Sequence, residues 1–399
     1  MRRVYMDANA TTPLLPEVFE AMRPYFLERF GNASSVHSFG QRARGAVEEA
    51  RISVAALLHC RPAEIVFTSG GTESDNLALF GATKPGDHLI TTTIEHHAVL
   101  HAAEQLAKCG REVTFVSVDG NGIVDPDEVR QALRPNTRLI SVMMANNETG
   151  AIQPVVEIAA IAAKAGVQFH TDAVQAAGKL PLDVEKIGCS LLSISGHKIH
   201  APQGTGVLFV RKDTKIEPLL YGGTHERQRR AGTENLAGIV GLGKAAEIAS
   251  KSLEDGSSQQ IADLRDRLES EILACVADVG AHASQVPRAP NTTNLWFDHL
   301  EGEALVISLD LKGLAVSGGS ACASGASEPS HVLTAMHVPT ERARASLRFS
   351  LSKLTTAEDV DFAIEIVPQA VAKLRELSPF YRKNETFSTN AFTVAAIER

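Results

Sequence analysis

No run of the roughly 20 apolar residues that a membrane-spanning helix requires occurs in this 399-residue chain. Met1-Arg2-Arg3-Val4-Tyr5 passes straight into Asp7 and Asn9, without the apolar core of a secretory leader, so the expected compartment is the cytoplasm. Cysteine is scarce too. Cys60, Cys109, Cys189, Cys275 and Cys322 are odd in number, scattered and free of any CxxC pair, which argues against a disulfide framework and against structural zinc. There is no basic stripe interleaved with aromatics, and a formal net charge of −8 gives no long-range pull on nucleic acid; Arg227, Arg229 and Arg230 form only a local cluster. No internal repeat or low-complexity block is visible. What is present is a globular chain with 44% hydrophobic residues, long enough for two or three domains with substantial cores.

The chain is organised around Gln168–Val210. The apolar runs Leu191–Ser195 and Val207–Val210 flank the polar loop Gly196-His197-Lys198, where open α/β sheets expose functional side chains at strand ends. Asp172 ends another apolar run, Gln168–Asp172, with a helical crossover expected between the two. Lysine forms imines with carbonyls, and a carboxylate holds a pyridinium nitrogen protonated, so Lys198 and Asp172 together fit pyridoxal 5′-phosphate (PLP) chemistry; a lysine taken alone is more often a solvated charge. Further short apolar runs at Glu64–Thr68, His88–Thr92, Glu112–Val116 and Leu139–Met144 alternate with helical patterns. They predict a mostly parallel α/β sheet. The link from Ser195 to Gly206 is too short for a helical crossover, so Val207–Val210 should run antiparallel, giving a mixed seven-stranded sheet covered by helices.

The strand ends carry the remaining candidates. After Glu64–Thr68 comes Ser69-Gly70-Gly71-Thr72-Glu73-Ser74, a strand, glycine turn and helix start that suits a phosphate on Gly71 and Thr72, or a plain capped turn. Ile94-Glu95-His96-His97 places an imidazole where it stacks on a cofactor ring or relays a proton. His97 and His101 have the spacing of two metal ligands on one helix face, but no carboxylate or thiolate completes the set, and no metal is expected. Asn146-Asn147-Glu148-Thr149-Gly150 offers amides to a phenolic oxygen, or is simply a turn, and Gln175 lies one helical turn beyond Asp172. Past Gly256 the pattern changes to a long helix at about 260–277, strands near 291–297, 314–317 and 344–350, and an amphipathic helix at 357–376, a separate α+β unit on which the N-terminal arm should also pack.

HTDAVQ, SGHK, SGGTES, EHHAV, NNETG, RRAGTEN and above all SGGSACASG make the chain resemble the cysteine desulfurases of the NifS/IscS type, within the fold-type-I, class V aminotransferase-like PLP enzymes. The resemblance extends over nearly the whole chain and weakens after about Leu377. It implies a large PLP-binding domain at 15–257 and a small domain from 1–14 and 258–399, the latter carrying a mobile catalytic cysteine loop at about 317–330. It further implies that Lys198 holds the cofactor covalently and moves protons at the substrate's α-carbon, that Asp172 pairs with the pyridine nitrogen, and that His96 stacks on the ring. Gln175 and Asn147 approach the phenolic oxygen, Thr72, Ser195 and His197 bind phosphate, and Thr233 reaches the phosphate of a neighbouring subunit in a homodimer. Arg348, in SLRFSL, grips the substrate carboxylate, a role that suits a bidentate guanidinium.

Cys322 separates the reactions open to such a fold. It sits in a Gly-, Ser- and Ala-rich stretch, and the resemblance implies that its thiolate takes the sulfur of bound cysteine to leave a persulfide and alanine. The acceptor would be an iron–sulfur scaffold or sulfur-carrier protein. A lyase or aminotransferase of the same fold, a selenocysteine lyase, and a non-catalytic scaffold that keeps the fold are the alternatives.

Overall fold

A computed structural model describes residues 2–318 and 329–377. The chain opens with a short strand, β1 (Val4–Tyr5), followed by helices Pro16–Met22 and Pro24–Leu27. The pattern at about Glu17–Leu27 predicts a single helix there; Pro24 has no N–H to continue the ladder, and the helix breaks before it. The twenty-residue helix Ser38–Leu57 starts where His37 Nδ1 accepts from the Gly40 amide.

Seven strands then build the main sheet: β2 (Ile65–Thr68), β3 (His88–Thr92), β4 (Glu112–Val116), β5 (Thr137–Ser141), β6 (Gln168–Asp172), β7 (Leu191–Ser195) and β8 (Gly206–Val210). Their spatial order is β2-β8-β7-β6-β5-β3-β4. Only β8 runs against the others, as the short 195–206 link requires. Alternation along the strands serves two cores. Ile65, Phe67, Ile90, Ile140, Leu192, Ile194, Val207 and Phe209 face one layer of helices, while Val66, Leu89, Leu139, Leu191, Leu208 and Val210 face the other.

Two local expectations are corrected. The fifth strand ends at Ser141 rather than Met144: Val142 N and Met144 N still donate to the His170 and Asp172 carbonyls of β6, but on the other side Met143 N donates to the Glu95 carboxylate at 2.9 Å instead of to a strand. The β6–β7 crossover is mostly turns and contains only the four-residue helix Val184–Ile187, so Gln175 sits on a turn and not on a helix.

A second sheet, all antiparallel, is formed by β9 (Val279–Ala281), β10 (Thr292–Phe297), β12 (Ser317–Gly318) and β13 (Ser346–Ser350), in the order β12-β13-β10-β9. Between them, β11 (Leu314–Ala315) pairs in parallel with β1, as expected of the arm. Helices Ser257–Cys275, Gly302–Leu311 and Ala357–Leu377 cover this sheet, and Leu268, Leu295, Phe297, Leu309, Phe349 and Val367 form its own fully buried core. Its strand β13 brings Arg348 to the carboxyl ends of the main sheet's strands, where open α/β folds bind ligands.

Candidate active site

The floor of the site comes from the ends of β2, β6 and β7. Chain leaving β2 turns at Gly70-Gly71 into helix Gly71–Ala82. A Cβ on Gly71 would lie 2.9 Å from Val174 Cγ2, so glycine there lets the helix start press against the residue that follows Asp172 and Ala173. Gly206, opening β8, is as tightly constrained: its Cβ would stand 2.6 Å from the Gly70 backbone. Asp172 is the last residue of β6, is buried, and accepts from the Val174 amide at 2.8 Å. Burial pushes its carboxyl above the usual carboxylate range, while the Val174 amide and the charge on Lys198 pull it back.

Lys198 closes a single 3₁₀ turn after β7 and donates to the carbonyls of Asn9 and, at 2.7 Å, Ala10. His96 caps helix His97–Lys108, its Nδ1 accepting from the Ala98 amide at 3.1 Å, which assigns its proton to Nε2. Burial, with help from Lys198, pushes His96 down to about 4; the same two causes, with Lys179 added, put His197 at about 4. Both imidazoles are therefore neutral at neutral pH, and His197 is tied to Thr11 Oγ1 through Nδ1 at 3.0 Å.

The roof comes from the arm and the second sheet. Arg348 is buried; its Nη2 meets Asp7 at 2.7 Å, its Nη1 donates to the Asn147 carbonyl at 3.0 Å, and its buried Nε has no hydrogen-bond partner among the described residues. Asn9, also buried, donates from Nδ2 to Thr292 Oγ1 and the Asn147 carbonyl at 2.9 and 3.1 Å, while its own carbonyl accepts from Gln175 at 3.0 Å.

Asp172, Lys198, His96, Gln175, Asn147, Gly71, Thr72, Ser195, His197 and Arg348 line one cleft of about 280 Å³. Thr233 does not join them: it is exposed, in a segment where Glu226, Arg227 and Gln228 all have positive φ. Buried hydrogen bonds hold that segment, the Glu226 carboxylate taking Arg51 at 2.8 Å through both Nη atoms and the Phe67 amide at 2.9 Å. Cys322 lies outside the described residues. Among the described residues, no group of three or more side chains converges as a metal site, His97 and His101 instead stacking with ring centroids 4.9 Å apart.

Sequence reading missed Asn9, Ala10 and Asp75, which also line the cleft, and Lys179 beside it. Asp75 is buried, its Oδ1 without a hydrogen-bond partner among the described residues and 3.6 Å from His170 Nε2, and burial together with Asp172 raises its pKa well above the usual value. Its signal was available, since it lies on the inward face of the helix that starts at the glycine turn. Asn9 gave none, because nothing local marks an arm residue as a core residue.

The residues present fit PLP. A glycine-lined start of a twelve-residue helix, with Ser195 and His197 opposite, is a phosphate cradle. Asn147 Oδ1 is buried in the cleft with no partner among the described residues, an unmet hydrogen-bonding group of the kind a bound ring with polar substituents would satisfy. Fold and site together define a PLP enzyme of fold type I, with a mixed seven-stranded sheet beside a smaller antiparallel one.

The chain belongs to the class-V aminotransferase family, whose pattern matches residues 4–362. Among curated proteins, it is 50% identical to a cysteine desulfurase IscS of Methanosarcina thermophila over 387 residues, covering 96% of this chain and 95% of the relative. Among solved structures, a NifS-like protein superposes with a TM-score of 0.86 at 37% identity, covering 93% of this chain and all of the other. A structure of SspA in complex with cysteine superposes with a TM-score of 0.77 at 34% identity, over 88% of this chain and 99% of that one.

Proposed function

We propose that this chain is a cysteine desulfurase, taking sulfur from L-cysteine to give L-alanine and a persulfide on Cys322, for donation to iron–sulfur cluster assembly or another thiolation. The observation that carries this reading is the convergence of a lysine, a buried aspartate and a buried arginine, its Nε without a partner among the described residues, on one cleft, in a family whose relatives bear that name.

Asp172 and Lys198 would hold the cofactor's pyridine nitrogen and carbonyl carbon, His96 its ring face, Gln175 and Asn147 its phenolic oxygen, and Gly71, Thr72, Ser195 and His197 its phosphate. Bound there, PLP supplies an electron sink for charge that develops at the substrate's α-carbon. Arg348 receives the substrate carboxylate and so aims the α-proton at the amine of Lys198, which removes it and later returns one. The Cys322 thiolate attacks the substrate sulfur; the Cβ–S bond breaks with its electron pair left on carbon, which is reprotonated to give alanine. Neutral His96 keeps positive charge away from the ring face.

In this reading residues 15–257 form the cofactor domain, and 1–14 with 258–399 form a small domain that brings Arg348 and the 317–330 segment. The working unit is a cytoplasmic homodimer in which Thr233 of a second copy completes the phosphate site; the exposed, strained segment around it supports that assignment. The sulfur passes to an acceptor protein.

Incubating the purified holoenzyme with cysteine, without reductant, should add one sulfur to the Cys322 peptide, and Cys322→Ala should abolish both that mass and alanine release. Alanine and sulfide formation that continues undiminished in Cys322→Ala would establish a lyase with an incidental cysteine. A purified chain without imine absorbance, after loading with PLP, would point to a scaffold.

A further inference from the structure

Lys179 lies on the β6–β7 turn and lines, together with Lys198, a small cavity beside the cleft. Its ammonium donates to Gln175 Oε1 at 2.8 Å and reaches Asn9 Oδ1 at 3.4 Å. Both partners have fixed orientations. With Oε1 taken by the ammonium, the Gln175 amide can only present its NH₂ toward the cleft, where it now donates to the Asn9 carbonyl, an acceptor it shares with Lys198. Asn9 likewise has Oδ1 occupied by Lys179 and by Asn291 Nδ2 at 2.9 Å, leaving Nδ2 for Thr292 and Asn147. One cation thus sets the polarity of two amides that border Lys198. Among the described residues, no carboxylate pairs with it in the hydrogen-bond or ion-pair network. The charged and titratable groups around the two lysines are Asp172, Asp75, His96, His197 and Arg348 in the cleft, with His200 and Lys353 lining the small cavity. Burial, with Lys198 and Arg348 adding, pushes Lys179 down to about 7, evidence that it and Lys198 are electrostatic neighbours.

We propose that Lys179 is a positioning residue for the chemistry at Lys198: it locks the Gln175 amide with NH₂ inward and places a second positive charge near the lysine nitrogen, lowering that nitrogen's proton affinity. The effect is the one that activates amines set beside another cation. It rests on the reading that Lys198 carries PLP, and the experiment separates the two. The measurement is the pH titration of the visible absorbance of the resting holoenzyme, which reports protonation of the Lys198–cofactor linkage without turnover. Lys179→Gln removes the charge but keeps a hydrogen-bonding group; Lys179→Arg keeps the charge. The titration midpoint should rise by about one pH unit in Lys179→Gln and stay near wild type in Lys179→Arg, because removing a nearby cation favours the protonated form. An unchanged midpoint in Lys179→Gln, or an equal shift in both variants, overturns the inference. If wild-type protein incubated with PLP shows no such absorbance, or keeps it in Lys198→Ala, the PLP reading itself fails. Should Lys179→Gln not fold, Lys179→Met takes its place as the charge-removing variant: the same rise of the midpoint supports the proposal, and an unchanged midpoint overturns it.

Discussion

The floor and the roof of the cleft are built on different terms. Floor residues Asp172 and Ser195 end apolar strands, Thr72, His197 and Lys198 follow one by two to four positions, and the strands that carry them are held by neighbours in the same sheet. The roof is assembled from far apart in the chain: Arg348 meets Asp7 and the Asn9 amide meets Ser350 Oγ across 341 residues, and Asn9 meets Thr292 across 283. A strand end fixes a side chain cheaply, since the sheet that holds it is needed anyway. A roof held by long-range polar contacts depends on every partner, because each one lost leaves a buried group unsatisfied. The floor therefore suits a cofactor that stays, and the roof a substrate that comes and goes.

That division fails most visibly at Arg348. Arg348→Lys keeps the charge but loses the planar fork, so KM for cysteine should rise by roughly 10²-fold. The resting absorbance of the PLP-loaded protein should not change, since the floor is untouched. Steady-state kinetics and a spectrum of the same sample test both halves. A loss of absorbance would make the roof part of cofactor binding and erase the distinction. Asn9→Ala comes next. It strips partners from Thr292 Oγ1, the Asn147 carbonyl and Asn291 Nδ2, and should lower unfolding stability by about 1–3 kcal/mol. A denaturant midpoint within the roughly 0.5 kcal/mol of an ordinary surface change would show that Asn9 is a bystander.

The same contrast decides what could be read from the sequence. Strand ends announce themselves through an apolar run followed by glycine or a polar residue, so Asp172, Lys198, Gly71 and His96 were legible with the sheet that positions them. The antiparallel β8 was legible from link length alone. Arg348 was found by motif likeness, for its own strand is buried on every residue and has no loop to mark it. Asn9 and Lys179 were not found, because their importance lies in partners that only tertiary folding brings near. The helix break at Pro24 was written in the sequence and passed over. Strand β9 and helix Gly302–Leu311 were missed because their cue is packing against β10 and helix Ala357–Leu377 rather than a periodic pattern.

The smallest expected effect concerns the seam between the two halves. Glu148 is buried in the turn that carries Asn147, its carboxylate accepts from Ser330, and its backbone carbonyl accepts from Asn294 Nδ2 at 3.2 Å. Burial pushes its pKa up to about 7, against the opposing pull of Ser330 and Arg348. In the unfolded chain a glutamate titrates near about 4.3, so between these values the folded protein holds a proton that the unfolded one has lost. The stabilisation is full below the unfolded value and drains away as pH rises through about 7. His96 and His197, both held at about 4, contribute in the opposite sense: their folded forms resist protonation, so stability falls as pH drops below the usual histidine range of about 6.5. Glu148→Gln removes one of these terms and leaves the other. The unfolding midpoint of the variant, relative to wild type, should climb as the buffer goes from about pH 5 to about pH 8, and the histidine-driven loss on the acid side should be the same in both proteins. A difference that stays flat with pH would mean that Glu148 ionises as freely in the folded chain as in the unfolded one, and that the seam is open to water.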